Sequence, residues 1–189
     1  MIISRILIIL VIFTLFLCSM IALKQKTLLI GTPVLLETEP IDPRSLFRGD
    51  YVRLNYVVSR LRPSNLKGDK EFKRHDKVYV ELQQHGKYWH PIAIYHHHPK
   101  NENVILAGKV QRVHENTWNP ELQQSEKIMS LHVKYGIENY FVPEGEGLDL
   151  ERRDNDQIVD IRVAIDQSGK AGIKEVLVNN ESRYIESLF

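Results

Sequence analysis

Carboxylates gather near the turns of this chain, Asp42 and Asp50 early and Glu138, Glu144, Glu146 and Glu151 later. A pair of them at a workable separation supplies the acid and the base of a general acid–base hydrolysis. Ser45 stands four residues before Gly49-Asp50 and is a nucleophile only if a base activates it. A lysine in that role must be desolvated, and Lys77, Lys87 and Lys109, near expected strands, have no local context that would do this. His96-His97-His98 forms a third group, in which extended backbone puts only His96 and His98 on one face. A metal site there would need His90 or His114 and a carboxylate as well. Pro99, Asn101 and Asn103 mark a hairpin end, where exposed polar residues are ordinary, so neither a metal nor a cofactor is expected. The chain has no Gly-rich phosphate loop, CxxC pair, HExxH helix or nucleophile elbow.

These residues must be held by strands. Period-two alternation runs through Val52–Val58, Val78–Leu82, Tyr88–Tyr95, Val104–Val113, Ile128–Tyr135, Ile158–Ile165 and Ile173–Val178. Turn residues fall between them at His85-Gly86, Pro99-Lys100-Asn101 and Ser168–Gly172. The pattern predicts an all-β domain, an antiparallel barrel or sandwich of about eight or nine short strands. Three stretches break it: a charged loop at 62–74, a polar stretch at 115–127 with a helical turn over 120–127, and an acidic stretch at 143–156 with a turn over 148–152. Trp89 and Trp118 read as core or rim residues.

Ahead of the strands lies an uncharged apolar run of 18 residues, Ile6–Leu23, bracketed by Arg5 and Lys24. As a helix it reaches about 27 Å, enough to cross a bilayer core. It exceeds a usual signal core and is followed by no small-x-small cleavage pattern, so we expect a retained transmembrane anchor over 1–24. A short tether, 25–32, and one extramembranous domain, 33–189, follow. The five-residue lead favours a domain outside the cytoplasm. Cys18, the only cysteine, lies inside the run and permits no internal disulfide. A net charge of +1 and a pI near 7.9 give no global field, and the basic residues are scattered among acidic ones along the sequence, so nucleic acid is not expected as a partner.

The most specific segment is 40–56, Pro-Ile-Asp-Pro-Arg-Ser-Leu-Phe-Arg-Gly-Asp-Tyr-Val-Arg-Leu-Asn-Tyr. Pro40 and Pro43 hold the approach extended, Gly49-Asp50 turns the chain, and a strand begins with Tyr51. Residues 49–56, GDYVRLNY, resemble at every fixed position the pattern that names the GDYXXLXY family of membrane-anchored proteins. Asp42–Arg48 resembles its lead-in, and Tyr135–Gly145 a later motif. The resemblance implies a bacterial, membrane-anchored protein and supplies no catalytic residue. Ser45 ahead of Gly-Asp is also loosely similar to membrane signal peptidases, but the spacing is shorter and Leu46-Phe47 replaces the Met-Pro of those enzymes.

From these residues we expect a non-catalytic binding or assembly module with integral membrane-protein partners. Its surfaces would be the elbow (Asp42, Arg44, Arg48, Gly49, Asp50, Tyr51, Arg53, Tyr56) and the second motif (Glu138, Tyr140, Glu144). Arg44, Arg48 and Arg53 would offer bidentate donors to a carboxylate or headgroup. Glu138 would pair with one of those arginines and lock the two motifs together. The alternative is a membrane-tethered hydrolase or peptidase using Ser45 or a carboxylate pair.

Overall fold

The apolar run is helical, and the helix outlasts it. In the computed structural model, which describes residues 2–39, 51–115, 117–119, 124–126, 129–141 and 158–185, α1 spans Ile2–Ile30. Residues 25–30, expected as part of a tether, thus continue the helix. The Gly31 amide donates to Thr27 O at 3.0 Å and closes the last turn. A Cβ at Gly31 would lie 2.5 Å from that oxygen, so only glycine passes there.

The end of α1 is seated on the domain. The Thr27 hydroxyl donates to Asp166 Oδ2 at 2.7 Å, and Leu28 presses on Gly172, where a Cβ would lie 2.7 Å from Leu28 Cδ2. Asp166 also accepts from the Ser168 amide and hydroxyl and the Lys170 amide. Burial pushes its carboxyl pKa up, but the hydrogen bonds from Ser168, Thr27 and Lys170 outweigh this and hold it below the usual value. The stability it contributes is therefore present above the ordinary aspartate pKa and is lost as pH falls through the lowered one.

Strands fill most of the rest. They are β1 (Thr32–Glu39), β2 (Tyr51–Arg53), β3 (Asn55–Tyr56), β4 (Arg60–Leu61), β5 (Lys67–Gly68), β6 (Lys77–His85), β7 (Tyr88–Tyr95) and β8 (Val104–His114). After these come β9 (Thr117–Asn119), β10 (Gln124–Glu126), β11 (Ser130–Lys134), β12 (Asn139–Phe141), β13 (Val159–Ile165), β14 (Ala171–Val178) and β15 (Glu181–Ile185). One sheet has the order β15-β14-β13-β1-β3 and the other β4-β11-β8-β6-β7-β5; β9-β10 and β2-β12 form two-stranded ribbons. Between the sheets lies one core, built from alternate residues such as Val34 and Leu36, Val78 and Val80, Leu106, and Ile161 and Val163. The segment from β3 to β4 leaves the first sheet and enters the second through a 3-10 turn at Val57–Ser59, so the sheets join along one side as a half-barrel. The domain is all-β, as its alternation predicts.

Three local expectations need correction. Val52–Val58 is not one strand: 51–53 pair with β12, 55–56 pair with β1, and 57–59 turn. The alternation reports burial correctly, since Leu54, Tyr56 and Val58 are all in the core, but the segment changes partner twice. The loop at 62–74 holds a 3-10 turn at Pro63–Asn65 and β5, and it is pinned by buried Phe72 and by Lys70 Nζ on the Pro63 and Leu66 carbonyls. In the helical turn expected over 120–127, residues 124–126 are instead a strand paired with 117–119. The turn expected over 148–152 lies outside the described residues.

A polar clamp joins the sheets. Asp160 of β13, 1% exposed, accepts from the Tyr88 hydroxyl at 2.8 Å and from Lys87 Nζ at 3.1 Å, and Lys87 also reaches Asn180 Oδ1 at 2.9 Å. Asp160→Ala removes the acceptor of Tyr88 and one of the two acceptors of Lys87 and costs about 1–3 kcal/mol, read as a lowered midpoint in chemical denaturation. An unchanged midpoint would mean that the clamp contributes nothing.

Candidate functional site

The two motifs meet, and among the described residues backbone and tyrosine hydroxyls hold them together. β2 and β12 run antiparallel, with Asn139 opposite Arg53, Tyr140 opposite Val52 and Phe141 opposite Tyr51. The Leu54 amide extends this seam by donating to Glu138 O at 2.8 Å. Two buried tyrosines then bond in opposite directions: Tyr56 OH donates to Ile137 O at 2.7 Å, and Tyr135 OH to Val58 O at 2.6 Å. Burial first, and the Glu138 charge second, push both phenol pKa values far up, so both remain hydrogen-bond donors across the physiological range. The Glu138 carboxylate accepts from the Tyr135 and Gly136 amides and so caps the bend, where Gly136 has a φ of 84°. The expected pairing of Glu138 with Arg53 is not observed; Arg44 and Arg48 lie outside the described residues.

Beside this seam opens a cleft of about 680 Å³, lined by Arg53, Asn55, Arg60, Arg62, Arg112, His114, His132, Lys134, Glu138 and Asn139 among others. Four arginines, one lysine and two histidines thus face one carboxylate, and that carboxylate is occupied by backbone amides. The basic residues are scattered in sequence yet gathered in space, which corrects the expectation of a dispersed charge. Strand register is the cause. Arg60 of β4, His132 of β11 and Arg112 of β8 lie directly opposite one another across three strands. Next to this row runs a second, in which Lys134, Lys109 and Lys77 are opposite one another on β11, β8 and β6.

Like charges directly opposite on a sheet destabilise it. The lysines of the second row are opposed in this way, whereas in the first the His132 imidazole separates Arg60 from Arg112, and Arg60 meets Glu39 at 3.0 Å. Arg53, Arg62, Arg112 and Lys134 have no ion pair among the described residues. The His132 imidazole registers the field: burial, then Arg112 and Arg60, lower its pKa despite an opposing pull from Glu138. Chemically the cleft offers planar guanidinium forks and an ammonium to a carboxylate or a phosphate.

Of the residues singled out in the sequence, Arg53 and Glu138 line this cleft, Tyr56 and Tyr140 are buried beside it, and Tyr51 contributes backbone pairing. Asp42, Arg44, Ser45, Arg48, Gly49, Asp50, Glu144, Glu146 and Glu151 lie outside the described residues. Lys87, weighed as a base, is raised in pKa by hydrogen bonds to Tyr88 and Asp160, the wrong direction for that role. His96 Nε2 lies 2.9 Å from Glu71 O and His98 Nδ1 2.8 Å from Pro99 O, and among the described residues no group of three His, Cys, Asp or Glu could hold a metal ion. Sequence reading missed Arg60, Arg112, His132 and Lys134, which strand register brings together, and Arg62, which follows directly after β4.

Fold and cleft together define an all-β half-barrel with a basic recess, carried behind an N-terminal helix long and apolar enough to cross a membrane. The chain belongs to the GDYXXLXY protein family, whose profile matches residues 13–176. No curated protein and no solved structure matches it.

Proposed function

We propose that this protein is a membrane-anchored, non-catalytic binding module whose basic cleft receives an acidic segment of an integral membrane partner. The observation that carries the reading is the gathering of Arg53, Arg60, Arg62, Arg112 and Lys134 around one cleft in which, among the described residues, only Arg60 has an ion pair, so that an entering anion meets cations not already neutralised. A protein segment is favoured over nucleic acid because no Phe, Tyr or Trp among the described residues lines the cleft for bases to stack on. The helix α1 supplies the anchor, and the domain it carries lies outside the cytoplasm in this reading.

The test is mild-detergent purification of the tagged full-length chain, with mass spectrometry of what accompanies it. A stoichiometric membrane protein, lost with Arg53→Glu/Arg112→Glu, is the expected result. Retention of the same partner by that variant overturns the assignment of the cleft, and a solitary wild-type protein overturns the assembly reading.

A further inference from the structure

A second recess, of about 420 Å³, lies where the helix meets the domain. Its walls are Leu28 from α1, Ile137 and Tyr140 from the second motif, and Ile173 from β14, with Lys170 at its rim. Leu29 and Ile30 are exposed, so the apolar surface of the helix continues onto the domain at this point. Phe141, also lining the recess, is 78% exposed. The apolar run ends at Leu23, and Ile30 is seven residues on, about 10 Å of helix. One headgroup layer is about 5–8 Å deep, which brings the base of the domain to its outer edge.

We propose that this recess binds one phospholipid of the adjacent leaflet, and that Phe141 dips into the interface and seats the domain on the bilayer. The proposal rests on the reading of α1 as a membrane span. A lipid is the occupant because the wall of the recess is continuous with the helix surface that lipids already cover. Its apolar portion lies along Leu28, Ile137 and Ile173 and its phosphate faces Lys170, while Tyr140 and Phe141 have the amphipathic and aromatic character typical of the membrane–water boundary. The site is rigid on the helix side, since Leu28 is wedged on Gly172 and Thr27 is bonded to Asp166.

The experiment uses the full chain with Cys18→Ser, carrying Phe16→Cys, Phe141→Cys or Lys100→Cys, each labelled with an environment-sensitive fluorophore. The proteins are reconstituted in phosphatidylcholine–phosphatidylglycerol vesicles that carry quenchers at two depths, a nitroxide on the headgroup to read position 141 and bromines at mid-chain to read position 16. Quenching at positions 16 and 141 but not at 100 is expected. Quenching at 16 without quenching at 141 overturns the seating of the domain while leaving the anchor intact. No quenching at 16 removes the anchor and the proposal together. Native mass spectrometry of the detergent-released protein reads the site itself: one retained phosphatidylglycerol is expected, reduced about fivefold or more by Lys170→Glu. Equal retention by that variant, or no retained lipid, overturns the lipid site.

Discussion

Arg112→Glu/Lys134→Glu weakens binding of a short polyglutamate peptide by about 30- to 1,000-fold, equivalent to about 2–4 kcal/mol. The same substitutions leave the fold as stable as before or stabilise it by about 0.2–1 kcal/mol, because Lys134→Glu sets an acid opposite Lys109 in place of a like charge and Arg112 has no ion pair among the described residues to lose. This opposition of effects separates a binding face from a structural one. Titration calorimetry at low and moderate salt, paired with a thermal melt, reads both quantities. A lower melting temperature with unchanged peptide affinity would make the rows structural. His132 adds a sign. Its lowered pKa means that the folded state resists protonation, so the stability it contributes is full above about pH 6.5 and is lost as pH falls through the lowered value. A bound anion acts in the opposite direction by favouring the imidazolium. Peptide affinity is therefore expected to rise as pH drops below 6.5, and His132→Gln to flatten that rise.

The second large effect is expected at the motif seam. Tyr56→Phe removes the donor to Ile137 O, and Tyr135→Phe the donor to Val58 O, each in a buried setting. An acceptor left unsatisfied away from water costs about 1–3 kcal/mol, so each variant melts about 2–10 °C lower. The double variant should fall short of the sum or exceed it, since both bonds fasten the same two segments. Circular dichroism melts of the full-length protein in detergent provide the measurement. Two near-zero shifts would leave the seam to the backbone pairing of β2 with β12 alone. Leu54 belongs to the same arrangement: its side chain is in the core and its amide reaches Glu138 O. Leu54 and Tyr56, both fixed positions of the family's signature, have their side chains in the core, whereas Arg53 and Asn55, at positions the signature leaves open, carry the polar groups of the cleft wall that Leu54 also borders.

That division explains what could be read from the residues alone. Alternation at Val78–Leu82 and Ile158–Ile165 gave away strands, because side chains on a pleated sheet must sort by burial. It could not reveal that 51–56 changes sheets, since a strand that swaps partners keeps the same inside and outside. Arg53 and Glu138 were legible as neighbours of the motifs, although Glu138 caps a bend and is not paired with Arg53. The two basic rows were invisible: Arg60, Lys77, Lys109, Arg112 and Lys134 become adjacent only through pairings that no local pattern specifies. Likewise, Lys24 to Lys26 reads as the polar end of an apolar run, while the contacts of Thr27 and Leu28 with the domain are what carry the helix onward to Ile30.

The direct fusion of α1 to β1 at Gly31 also bears on the thermodynamics of encounter. A domain on a slack linker samples many orientations above a bilayer, and freezing one of them on association costs entropy. Here Thr27–Asp166 and Leu28–Gly172 have already fixed the angle between helix and domain. In a membrane the chain would search for a partner in two dimensions with its cleft at constant height, leaving lateral diffusion and spin about the helix axis as the main freedoms to be restricted. For a partner in the same membrane the effective concentration at the cleft would be raised accordingly, and contacts of modest strength, such as exposed arginines with carboxylates, would then hold it.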